Sequence, residues 1–135
     1  MTNTMFFFIT TIFLTIFSNF VIGLKGNYIN RTFMDMPVSL IKSAVETNDS
    51  SSDEFLSYFN IEVLENNVNH YLATSLNGQV DSYKISFFYF KYDENKDLIF
   101  DLTNTPQNVQ IHFNCDIYKN FTLDKYLVFT IEELF

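Results

Sequence analysis

The sequence predicts an α+β fold: one main helix packed across a four-stranded antiparallel sheet, preceded by a signal peptide. Three observations carry this expectation. The chain opens on an uncharged apolar run, apolar residues recur at helical spacing after Pro37, and the segments beyond Asn60 alternate with the two-residue period of strands. With 135 residues there is room for one domain, and 47% hydrophobic and 19% aromatic residues are too many for a disordered chain.

The first element is the leader. Residues 1–24 carry no charged side chain, and Met5–Phe17 is an apolar run of 13. That length fits a signal-peptide core and is short for the roughly 30 Å of hydrocarbon in a bilayer. Val21-Ile22-Gly23 offers a cleavage site, so residues 1–23 read as the signal peptide and 24–135 as the single secreted, extracellular domain. No Lys or Arg precedes the run, which departs from the usual leader. If Phe20–Leu24 joined it, about 20 residues would serve as an uncleaved membrane anchor. Asn30-Arg-Thr, Asn48-Asp-Ser and Asn120-Phe-Thr match the N-glycosylation acceptor pattern, in keeping with secretion.

Residues 24–35 read as irregular, since Gly26, Asn27 and Asn30 break any period. Pro37 then suits a first helical turn, and Val38, Ile41 and Val45 form the stripe of the main helix. Ser51 and Glu54 have capping-box spacing, which predicts a short second helix through Phe55, Tyr58 and Phe59. A first strand is expected over Ile61–Leu72, with a bulge between its halves. Asn77-Gly78 is then a tight hairpin turn leading into a second strand over Tyr83–Tyr92. Leu98–Phe100 extends the sheet. Residues 109–118 alternate most cleanly, Val109, Ile111, Phe113, Cys115 and Ile117 facing inward, and Leu123–Ile131 returns after a turn at 119–122.

This order resembles the cystatin arrangement, and several residues add to the likeness. Leu40–Asn48 is similar to the cystatin helix with its Ala-Val pair. The segment Thr74-Ser75-Leu76-Asn77-Gly78 stands where the family has Gln-x-Val-x-Gly, and His112–Tyr118 resembles a later family strand. Gly26 lies where cystatins place an N-terminal glycine. The resemblance implies a wedge that plugs the cleft of a papain-family cysteine protease, built from Gly26, the loop Thr74, Ser75, Leu76, Asn77 and Gly78, and a second hairpin bearing Phe121. The family's Pro-Trp pair is missing, since the chain has no Trp, and one Cys replaces the usual two disulfides. Two alternatives stand beside the inhibitor. One is a secreted, non-catalytic glycoprotein that binds another extracellular protein. The other is a cone-shaped α+β domain of the nuclear-transport-factor-like kind, with an aromatic small-ligand pocket between sheet and helices.

Composition narrows the partners. Eight Lys and Arg against sixteen Asp and Glu give a net charge of −8, which disfavours nucleic acid. His70, His112 and Cys115 lack metal-ligand spacing, so no metal or cofactor is expected. Cys115 reads as a buried thiol. His112 and Asp116 share one strand face but lie about 13 Å apart along it, too far for an acid–base pair. The chain is not expected to be an enzyme, and a membrane enters only if the leader is uncleaved.

Overall fold

A computed structural model of the chain describes residues 2–48, 56–92, 95–100, 105–119 and 121–135. Helix α1 spans Thr2–Met34, and a five-residue helix α2 spans Val38–Lys42. Strands β1 (Val45–Asn48) and β2 (Leu56–Phe59) form a two-stranded antiparallel pair, followed by α3 over Ile61–Ser75. Strands β3 (Tyr83–Tyr92), β4 (Leu98–Phe100), β5 (Asn108–Tyr118) and β6 (Phe121–Thr130) complete a four-stranded antiparallel sheet ordered β4-β3-β5-β6; α4 (Ile131–Leu134) ends the chain.

The α+β class and the four-stranded antiparallel sheet agree with the sequence reading, and β3, β5 and β6 lie where their alternation placed them. Several elements differ. The expected strand over 61–72 is helix α3. Asn60 caps it, its side chain accepting from the Val63 N–H at 3.2 Å, and Leu64, Val68 and Leu72 form a fully buried stripe at i, i+4 and i+8. The expected main helix breaks after Lys42. Val45 pairs with Phe59 instead, and the Asn60 N–H donates to the Ala44 carbonyl at 2.7 Å. Tyr58 and Phe59 therefore belong to a strand, while the capping pair Ser51 and Glu54 lies outside the described residues. Satisfying backbone groups across the β1–β2 pair outweighs the weak helical preference of such short segments.

The sheet is covered by two helices rather than one. The stretch expected to be irregular, 24–35, forms the last third of α1 as far as Met34, and it supplies Ile29 and Phe33 to the core. Phe33 stacks on Phe113 with ring centroids 5.0 Å apart, and Tyr83 tilts against Phe113 at 5.6 Å. Burying each of Ile29 and Phe33 is worth about 1.5–3 kcal/mol. The Tyr71 hydroxyl donates to the Thr32 carbonyl at 2.8 Å, fastening α3 to α1. The rest of α1 projects from the domain with its phenylalanines in the open; Phe6 and Phe7 are 73% and 74% exposed. This apolar segment is long enough to cross a membrane, and it equally fits a signal sequence.

Candidate functional site

Two of the residues expected to form a wedge, Gly26 and Phe121, meet where α1 joins the domain. Gly26 is buried inside α1, not in a flexible arm. A Cβ there would lie 2.6 Å from Phe121 Cε1 and 3.2 Å from Ile117 Cδ1, so the missing side chain lets the helix approach the β5–β6 hairpin. Two residues on, and on the opposite side of α1, the Tyr28 hydroxyl donates to the Ser75 carbonyl at 3.3 Å, tying the end of α3 to the helix.

The expected hairpin at Asn77-Gly78 is the C-terminal turn of α3. The Gln79 N–H donates to the Leu76 carbonyl at 3.0 Å, and Gly78 takes φ +77°, a conformation open to glycine at little cost. Thr74 and Ser75 close the helix. Leu76 is only 2% exposed and packs into the core, so it is not free to enter a partner's cleft. The second hairpin lies where expected, with Tyr118 paired to Phe121 across its tip and a register shift between Asp116 and Tyr118. Tyr118 and Phe121 line a crevice of about 290 Å³ with Asn19, Ile22 and Gly23 of α1.

Among the glycosylation candidates, Asn30 lies within α1. Its Oδ1 is buried without a hydrogen-bond partner. Asn48 ends β1, and Asn120 lies outside the described residues.

The sheet face turned away from the helices is the second feature of note. Phe88, Phe100, Tyr126 and Val128 are exposed on it, and Phe90 stacks on Phe100 at 4.9 Å. On this face Gln110 and His112 of β5 lie between the Phe88, Phe90 and Phe100 group and the Tyr126 and Val128 pair. His112 pairs with Asp124 rather than Asp116, whose carboxylate accepts from the Thr122 hydroxyl at 2.9 Å. Both members of the His112–Asp124 pair are open to solvent, where such pairs contribute about 0–1 kcal/mol.

Little here is arranged for covalent chemistry. Cys115 is buried with its Sγ directed at the Ser82 carbonyl, and burial first, with Asp116 second, pushes its thiol up, away from the reactive thiolate. No group of three metal-ligating side chains occurs among the described residues. Asn108, 2% exposed, lines a polar crevice of about 240 Å³ with Tyr92, Thr130 and Glu132, and its amide nitrogen lacks a partner.

The sequence reading missed the role of α1. Ile22, Gly26, Ile29 and Phe33 follow i, i+4, i+7 and i+11, one helical stripe that starts before the expected cleavage point. No protein-family model, curated protein or solved structure matches this chain.

Proposed function

We propose that this chain is a membrane-tethered, non-catalytic domain that binds a protein partner outside the cytoplasm through the open aromatic face of its sheet. One observation carries the tether: a single unbroken helix holds both the uncharged apolar segment and two fully buried core residues, Ile29 and Phe33. Cleavage after Gly23 would divide this helix beside Ile22, which packs on the core. Asn48-Asp-Ser and Asn120-Phe-Thr, which match the N-glycosylation acceptor pattern, support the side outside the cytoplasm. The exposed aromatic face supports a protein partner.

Architecture supports the same reading. Two helices and a separate two-stranded pair stand against one sheet, closer to a cone-shaped, nuclear-transport-factor-like domain than to a single-helix roll. Phe33 and Phe113, both fully buried, stack in the space between α1 and β5, which favours a surface partner over a pocketed one.

Alkaline carbonate extraction of the full chain expressed in eukaryotic cells tests the tether. The chain is expected in the membrane pellet; recovery in the wash or the culture medium contradicts it. A second reading, the cystatin-like protease inhibitor, is favoured by the meeting of Gly26 and Phe121 at one end of the domain. Titration against papain separates the two, since the tethered binding domain leaves the enzyme active and a wedge inhibitor abolishes its activity.

A further inference from the structure

We infer that the tip of the β5–β6 hairpin is a bilayer contact, with Tyr118, Lys119 and Phe121 lying at the boundary between headgroups and hydrocarbon beside α1. This rests on the tethered reading and adds to it the depth and attitude of the domain.

Met5–Leu24 is uncharged, and Lys25 is the first charged side chain. At 1.5 Å per residue, those 20 residues cover about 30 Å, the thickness of the hydrocarbon layer. Lys25 therefore marks one edge of the span. The domain does not wait for that edge. Ile22 is already half-buried against the core, and Asn19, Ile22 and Gly23 share a crevice with Tyr118 and Phe121. Phe121 also abuts Gly26. The hairpin tip thus lies level with residues 19–26 of the helix. That places it from just outside the edge to roughly 9 Å inside it.

The alternative is to lift the tip clear of the lipid. Only residues 2–18 of α1 then remain for the span, about 25 Å of helix that begins with Thr2, Asn3 and Thr4. The bilayer would have to thin by about 5 Å, at fractions of a kcal/mol per Å, while burying polar residues at the far end. Lowering the tip avoids both costs.

The chemistry of the tip fits this position. Tyr118 is 58% exposed and Phe121 42%, so both have apolar surface left to give to lipid. Tyrosine suits the boundary because its ring is apolar and its hydroxyl is polar. Lys119 and Lys25 carry stems long enough to reach phosphate. The next acidic side chain along the strand, Asp116, is two residues above Tyr118 and engaged by Thr122. At about 3.3 Å per residue it is lifted some 7 Å further from the membrane.

The chain has no Trp, so single tryptophans report position directly. Full-length Tyr118→Trp, Phe121→Trp and, as a control on the open sheet face, Tyr126→Trp are reconstituted into phosphatidylcholine vesicles with lipid brominated on the acyl chains. Flotation of the vesicles first reports the tether. The inference predicts blue-shifted emission for Tyr118→Trp and Phe121→Trp, and quenching about twofold or more above that of Tyr126→Trp. Tyr118→Trp carries the test alone if Phe121→Trp disturbs the contact with Gly26. A chain that floats with all three tryptophans equally unquenched overturns the tip contact and leaves the tether standing. A chain that does not float overturns both.

Discussion

Gly26 shows how a single position couples the leader helix to the sheet. Helix propensity alone would favour Ala there by about 0.8–1.0 kcal/mol. The contact with Phe121 opposes it, because a Cβ would sit 2.6 Å from the ring, and overpacking costs typically about 1–3 kcal/mol. Gly26→Ala is therefore expected to lower stability in urea unfolding. In a Phe121→Leu background the same substitution should cost less, since the ring is gone and only the 3.2 Å contact with Ile117 remains. Destabilisation of equal size in both backgrounds would disprove the close approach. Tyr89 offers a pH test. Its hydroxyl donates to Glu65 Oε1 at 2.8 Å, and burial first, then the Glu65 carboxylate, raises its pKa strongly. A raised acid pKa favours the neutral form in the folded state. Its stabilisation is complete below about pH 10, the ordinary tyrosine value, and is lost as pH climbs above it. Tyr89→Phe should lower stability at pH 7 by about 1.5–3 kcal/mol, the worth of a hydrogen bond to a charged group. It should also flatten the fall in melting temperature above pH 10.

At the scale of elements, the account divides α1 into a span and a core segment, and truncation tests the division. A chain beginning at residue 24 keeps Gly26, Ile29 and Phe33 and is expected to unfold cooperatively. One beginning at residue 35 loses two fully buried side chains and the Tyr71–Thr32 bond, and is expected to bind hydrophobic dye and melt without a sharp transition. Cooperative melting of the shorter chain would show that α1 is not part of the core. The elements also differ in how plainly they can be read. In β5, Val109 to Ile117 alternate with polar residues because one face is dry and the other wet, and that period has one reading. In α3, Ile61 and Val63 imitate strand alternation; the deciding pattern is the longer one through Leu64, Val68, Leu72 and Leu76. Residues 24–34 were obscured by Gly26, Asn27 and Asn30, all poor helix formers. Burial against β5 and β6 overrides that preference, and propensity cannot anticipate it. The candidate site was legible only as residues. The hairpin bearing Phe121 was expected, but its neighbour was not, because Gly26 finds Phe121 only when α1 is continuous.

The whole molecule has two unlike ends. One is an uncharged helix whose phenylalanines face outward, and the other is an acidic domain carrying all of the charge. Water would not support the first end alone: a contiguous apolar surface of that size calls for lipid, a partner or removal. The tethered reading supplies lipid, orients the domain by its hairpin tip and leaves the aromatic sheet face free for a partner. Removal supplies the other solution, at the loss of Asn19, Ile22 and Gly23 from beside Tyr118 and Phe121. The intact mass of the chain after synthesis on membrane-bound ribosomes and enzymatic removal of glycans decides between them. The account predicts the uncleaved chain, 15.9 kDa, in the membrane fraction. A soluble product lacking its first 23 residues would contradict it.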